Sequence, residues 1–210
     1  MIKVLIVDDH ELIREGLKQV INETEDFRVM DEAHDEHEAL SLVRKNHYDI
    51  MILDISLEGR NGLQILKDLK DEHQKLKVLI ISMHAEEQYA IQAIKAGTCG
   101  YLTKSRGSKE LISALRKIVC NKVYFSESVS EQLVHRIQDP SEIPAHETLS
   151  PREFQIFIMI AEGNSTKEIS NELAISSNSV STHRARLLKK MNLKNNADII
   201  RYAFRNGIID

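Results

Sequence analysis

Asp8, Asp9, Asp54, Ser82 and Lys104 each stand where a short apolar run stops. Ile2–Val7 runs into Asp8-Asp9, Ile50–Leu53 into Asp54, Val78–Ile81 into Ser82 and Gly100–Thr103 into Lys104. Carboxylates brought close together repel and demand a cation. An all-oxygen set that leaves room for water suits Mg²⁺. A carboxylate beside such an ion can attack phosphorus and give an aspartyl-phosphate. The metal and a fixed lysine would offset the charge on the transferring group. Such a set could hold a hard cation and a phosphoryl group, where isolated acidic strand ends would be merely solvated caps.

A parallel sheet would bring those five positions together. Apolar runs that alternate with helix-period segments read as βαβ units around a parallel sheet buried on both faces. All strands then point one way, and residues past their ends share the edge where open α/β folds place ligands. The pattern predicts strands near 3–8, 28–33, 50–54, 78–82 and 100–103. Helices are predicted at about 11–22, 36–45, 61–71, 86–96 and 108–120. Leu63, Leu66 and Leu69 among Gln64, Lys67, Asp68 and Lys70 show the 3.6-residue period. Asn61-Gly62 and Ala96-Gly97 are turn or cap signals. Five βα repeats make a doubly wound, flavodoxin-like sheet of order 2-1-3-4-5 over residues 1–121.

Residues 122–147 read as a linker, with a short helix from Ser126-Glu127-Ser128 to about Gln138. Asp139-Pro140-Ser141-Glu142-Ile143-Pro144 then breaks any regular element, and two of the three prolines lie there. From Leu149 strand signals cease. Ser150-Pro151-Arg152-Glu153 opens a helix with a capping box and Pro at the first helical position, and Glu162-Gly163-Asn164 ends it. Helices of about 166–173, 177–191 and 195–206 follow, a helix-turn-helix bundle over 148–210. Val180, Leu187 and Met191 fall on its inner face, and Asn178, Thr182, Ala185, Arg186 and Lys189 opposite.

Charge divides along the same lines. The chain carries a formal net charge of −4, yet residues 148–210 hold nine Lys and Arg against six Asp and Glu. No acidic residue lies between Glu172 and Asp198, where Arg184, Arg186, Lys189, Lys190 and Lys194 occur. A basic helix of this kind can enter the major groove, with cations on phosphates and small polar groups near base edges. Cys99 and Cys120 have neither CxxC spacing nor a disulfide framework and are expected to be buried small hydrophobes. No apolar stretch approaches the ~20 residues that span a bilayer. The expectation is a soluble, cytoplasmic protein without membrane contact.

Residues 1–121 resemble the receiver domains of two-component response regulators. The resemblance implies that Asp54 accepts phosphate and that Asp8, Asp9, Asp54 and the Ser56 backbone carbonyl hold Mg²⁺. It implies that Lys104 pairs with phosphoryl oxygens, that Ser82 donates to the phosphate, and that Tyr101 is the coupled aromatic switch. Two departures stand out: Glu58 and Ser105 replace prolines common in receivers, and Glu58 adds a negative charge near the cleft.

The C-terminal module resembles the NarL/FixJ (LuxR-type) helix-turn-helix family through Leu149–Glu153, Ala161–Ile169, Leu173–Ser176, Ser179–His183 and Lys190–Leu193. By that resemblance the DNA-facing set is Lys167, Asn178, Ser181, Thr182, His183, Arg184, Ala185, Arg186, Lys189 and Lys190. Ser181 stands where the family often has Lys, which alters the usual base contacts. The implied partners are a sensor histidine kinase and double-stranded promoter DNA, with RNA polymerase beyond them and a homodimer formed on phosphorylation. The reading is a regulator, not an enzyme, apart from catalysing its own phosphorylation and dephosphorylation.

Two other classes account for less of the chain. A phosphatase using Asp54 would need a second acid where Ser56 stands. A protein-binding adaptor would leave the basic helix unexplained. His34-Asp35-Glu36-His37 reads as a charge run at a helix start, and His183 as a packing or phosphate-contact residue. His10 follows the acidic pair but has no nucleophile to activate.

Overall fold

The computed structural model describes residues 1–57, 62–84, 86–138 and 144–209. Glu58, Asn61 and the Asp139–Ile143 breaker lie outside them. The described chain forms two compact units, Met1–Ser130 and Glu131–Asp210.

The first unit alternates strand and helix: β1 (Ile2–Val7), α1 (Glu11–Asn22), β2 (Phe27–Ala33), α2 (Glu36–Lys45), β3 (Ile50–Asp54), α3 (Gly62–Glu72), β4 (Lys77–Ser82), α4 (Glu86–Ala96), β5 (Gly100–Thr103) and α5 (Ser108–Val119). The five strands pair in parallel in the order β2-β1-β3-β4-β5. Continuous apolar runs are what this demands, because helices cover both faces. Every residue of β3 is buried, and so are all but the first of β4. One face packs Val4, Ile6, Ile52 and Leu79 against Leu111 and Leu115 of α5. With all strands running one way, Asp8, Asp54, Ser82 and Lys104 fall along one sheet edge, as the sequence predicts.

Three local features depart from the sequence reading. Tyr124, assigned to the linker, docks on the free edge of β5. Tyr101 N–H donates to Tyr124 O, and Tyr124 N–H to Cys99 O, both at 3.0 Å. The helix after it, α6 (Glu127–Gln138), starts as expected with Ser126 Oγ accepting from Val129 N–H at 3.3 Å. Neither cysteine is buried: Cys120 is exposed beyond the last turn of α5, and Cys99 is half-buried. A position after a helix end is open to solvent whatever its polarity, so side-chain type misled there.

Beyond α6 the second unit has a 3₁₀ turn, Ala145–Thr148, followed by α7 (Pro151–Ala161), α8 (Thr166–Glu172), α9 (Ser177–Lys190) and α10 (Asn196–Arg205). Ser150 and Ser165 both make full capping boxes, with Glu153 and Glu168. Each cap satisfies amide groups that a helix start leaves open, worth about 1 kcal/mol. Phe154, Phe157, Val180, Leu187, Ile199 and Ala203 form the buried centre, and Phe157 meets the Tyr202 ring edge-on at 6.1 Å.

Candidate phosphoacceptor cleft and nucleic-acid face

Asp8 and Asp54 are each 2% exposed, although both are carboxylates. Burial of that degree is costly unless a counter-charge is at hand. Lys104 supplies it: Nζ lies 2.7 Å from Asp8 Oδ2 and 2.6 Å from Asp54 Oδ2. Burial pushes the Asp54 carboxyl above the usual carboxylate range, with Lys104 pulling the other way and Asp8 adding to the rise. Burial works against the Lys104 charge, but Asp54 and Asp8 outweigh it and hold the ammonium above its ordinary value. The second oxygen of Asp54 accepts from Ser56 N–H at 3.1 Å.

Asp8 Oδ1 faces the other way and accepts from His10 N–H at 2.9 Å. His10 Nδ1 lies 2.6 Å from Asp9 Oδ1. Single ligand atoms from Asp8, Asp9, His10 and Asp54 all lie within 4.8 Å of one another. Three carboxylates this close, already drawing a lysine and a histidine, form a donor set that suits a hard divalent cation.

Ser82 is fully buried at the end of β4. Its Oγ accepts from His84 N–H at 3.2 Å, and Tyr101, also buried, donates its hydroxyl to His84 O at 3.0 Å. The His84 ring meets Ser56 Oγ at 3.1 Å and lies 4.8 Å from the Tyr89 ring. The structure thus brings together Asp8, Asp9, Asp54, Lys104, Ser56, Ser82 and Tyr101. It adds His84, whose backbone joins Ser82 to Tyr101 and which the sequence reading missed. A position two residues past a strand-end hydroxyl was the only signal available for it.

The C-terminal unit presents a different surface. Asn178, Ser181, Thr182, Ala185, Arg186 and Lys189 of α9 are exposed, as is Lys167 of α8. Val180, Leu187 and Met191 are buried, as the helical period predicts. Ser181 and Thr182 hydroxyls donate to the carbonyls of Ser177 and Asn178, both at 2.9 Å, and keep lone pairs for an outside donor. Lys190 and Arg184 are engaged within the unit. Lys190 Nζ lies 2.6 Å from Glu153 Oε2, and Arg184 Nε donates to Asn196 Oδ1 at 2.6 Å. Burial raises the Glu153 carboxyl, but Lys190 and the Ser150 N–H and hydroxyl outweigh it and hold the group below its ordinary range. His183 is half-buried, and its Nδ1 has no hydrogen-bond partner among the described residues. Burial, Arg152 and Arg186 keep its imidazole below the usual histidine range. Arg152 donates to Leu173 O at 3.0 Å, tying the end of α8 to the start of α7. No helix among the described residues is long and apolar enough to cross a membrane.

Residues 4–116 match the family of response regulator receiver domains. Residues 147–203 match the bacterial regulatory proteins of the luxR family. The response regulator GacA of Pseudomonas aeruginosa is 30% identical over 100% of this chain and 99% of its own length. The response regulator UvrY of Escherichia coli is 30% identical over 99% of this chain and 96% of its own. Among solved structures, RcsB of Salmonella enterica serovar Typhimurium, bound to promoter rprA with phosphomimetic BeF₃⁻, has a TM-score of 0.65 at 22% identity. That match covers 96% of this chain and 97% of RcsB, and it speaks to the fold.

Proposed function

We infer that this chain, which belongs to the two-component response regulators carrying a LuxR-type helix-turn-helix domain, binds promoter DNA under the control of phosphate on Asp54. The observation that carries the reading is the buried Asp54 carboxylate, with Lys104 at 2.6 Å and two further aspartates beside it. The phosphodonor is a sensor histidine kinase. An Asp54 oxygen attacks phosphorus, the O–P bond forms, and the bond from phosphorus to the donor histidine nitrogen breaks. The chain contributes catalysis to this transfer and to the later hydrolysis but turns over no other substrate.

Mg²⁺ held by Asp8, Asp9, Asp54 and the Ser56 carbonyl would neutralise charge on the transferring group. The remaining work falls to side chains. Lys104 already holds the cleft as a fixed cation and pairs with a phosphoryl oxygen once Asp54 is esterified. Ser82 turns its hydroxyl to the phosphoryl group, which releases the His84 N–H it now accepts. The carbonyl of that same residue holds Tyr101, so the loop after β4 and the aromatic ring move together. Phosphate adds about −1.5 to −2 charge, enough to bias such a two-position element.

The receiver spans residues 1–121, residues 122–147 link it, and 148–210 read DNA. Two copies bind two half-sites about one helical turn or a multiple apart. Lys167, Arg186 and Lys189 take phosphates, while Asn178, Ser181, Thr182 and Ala185 face base edges. Arg184 and Lys190 set the helix in place, and His183 is a packing or phosphate-contact residue. The protein works in the cytoplasm, upstream of RNA polymerase.

The test compares full-length protein with and without Mg²⁺ and acetyl phosphate, selecting fragments from sheared genomic DNA. A shared, two-fold symmetric site whose occupancy rises on phosphorylation is expected, and Asp54→Asn should lose the rise. A response that persists in Asp54→Asn overturns the phosphoacceptor assignment. No enriched site with Asp54 phosphate confirmed by mass overturns DNA binding.

A further inference from the structure

Lys104 and His10 approach different oxygens of the acidic cleft. Lys104 takes Asp8 Oδ2 and Asp54 Oδ2. The His10 ring stands at two others, with Nδ1 2.6 Å from Asp9 Oδ1 and 3.3 Å from Asp8 Oδ1. The four donors, one from each of Asp8, Asp9, His10 and Asp54, lie within 4.8 Å of one another. Ligands on opposite sides of a first-row divalent ion are about 4 Å apart, so small side-chain movements would close the set.

The backbone of His10 is also anchored where it stands. His10 occupies the position before α1 with φ −87° and ψ 109°, and its own N–H is held by Asp8 Oδ1 at 2.9 Å. Two rotatable bonds then separate the backbone from the imidazole. The side chain is 65% exposed, so it can turn toward an ion without disturbing the core.

We propose that His10 is a nitrogen ligand of the cation in this cleft, and that it extends the site from Mg²⁺ to transition-metal divalents. This rests on the reading of the cleft as a cation-dependent phosphoacceptor site. Carboxylates, a carbonyl and water make a set for hard ions. An imidazole added to it favours transition-metal divalents, cobalt more than manganese, over magnesium, which seldom accepts nitrogen. His10 therefore sets the choice of metal rather than the chemistry at Asp54.

Full-length protein loaded with Mn²⁺ alone is read by pulsed EPR, which detects nitrogen nuclei bound to the ion. Imidazole nitrogen coupling is expected in the wild type and its loss in His10→Ala. Co²⁺ affinity should fall about tenfold in His10→Ala, the scale on which a lost partner of a metal site is felt. Mg²⁺ affinity should change less than about twofold, because an oxygen-seeking ion gains little from the ring. Bound Mn²⁺ without nitrogen coupling overturns the proposal, as does coupling that survives in His10→Ala, since another histidine would then be its source. Equal losses of Co²⁺ and Mg²⁺ affinity also overturn it, because they report a general loosening of the cleft and not a lost nitrogen ligand. In each of those cases the phosphorylation of Asp54 by acetyl phosphate stands unaffected as a separate measurement. Wild-type protein that binds no divalent ion sinks both this proposal and the cation-dependent reading.

Discussion

At Gly62 a single missing carbon decides whether Asp54 can sit where it does. A Cβ there would lie 2.0 Å from the Asp54 carbonyl oxygen and 3.0 Å from Ile55 Cα. The Gly62 N–H donates to Ile55 O at 2.8 Å. The start of α3 is thus packed directly on the backbone of the phosphoacceptor, and backbone cannot rotate away as a side chain can. Gly62→Ala should push that backbone aside at a cost of about 1–3 kcal/mol, and phosphate incorporation, followed by intact mass, should drop at least about tenfold as the reacting geometry is lost. Gly16 is the control, since nothing lies within 4 Å of its added Cβ, and Ala there should stabilise α1 by about 1 kcal/mol. Phosphorylation of Gly62→Ala at the wild-type rate would show that the Asp54 backbone yields freely. The sequence revealed Gly62 only as a turn signal, because the clash is with a strand end eight residues earlier. His84 was hidden for a similar reason: its link between Ser82 and Tyr101 runs through its backbone N–H and carbonyl, which every residue type possesses.

The elements were legible where their cause is local. β2 at the sheet edge mixes Arg28, Asp31 and Glu32 with its apolar residues, whereas continuous apolar runs located β1, β3, β4 and β5, since burial on both faces is a property of each run by itself. The Ser150 and Ser165 caps behave the same way. What depends on partners far along the chain was not legible. Tyr124 joins the β5 edge, and Lys190 turns inward to Glu153, 37 residues away. Left-handed residues after helices fall between these cases. Asn121 (φ 61°) and Asn192 (φ 54°) end α5 and α9 with a residue that tolerates this conformation, whereas Ala174 (φ 49°) ends α8 with one that does not. The turn between α8 and α9 therefore carries strain that a glycine would relieve. Ala174→Gly should raise the stability of the C-terminal unit by roughly 1 kcal/mol, seen as a higher midpoint in urea. A lower midpoint would mean that the alanine methyl packs well enough to outweigh its backbone cost.

Across the whole molecule, charge separates the two tasks. The cleft collects carboxylates around a buried lysine, while α9 and its flanks gather cations with no acid between Glu172 and Asp198. DNA affinity built on such cations must fall with salt, by about 0.9 log units per log unit of salt for each phosphate contacted. That dependence separates cations that touch DNA from those that hold the fold. Lys189 is exposed, so Lys189→Ala should flatten the salt slope by about 1 per half-site and leave thermal stability unchanged. Lys190 ends on the buried Glu153 carboxylate, and its loss strands that charge. Lys190→Ala should leave the salt slope of bound protein unchanged and lower the stability of the C-terminal unit by about 1–3 kcal/mol. The loss should be largest above the usual glutamate range. There Glu153 is ionised, and the bond to Lys190 contributes in full; it fades as pH falls through the lowered Glu153 value. Filter-binding titrations at several salt concentrations, paired with unfolding curves at pH 7 and in acid, separate the two lysines. If Lys190→Ala flattened the slope as Lys189→Ala does, the Glu153 pair would have to open on DNA, and the end of α9 would join the contact face.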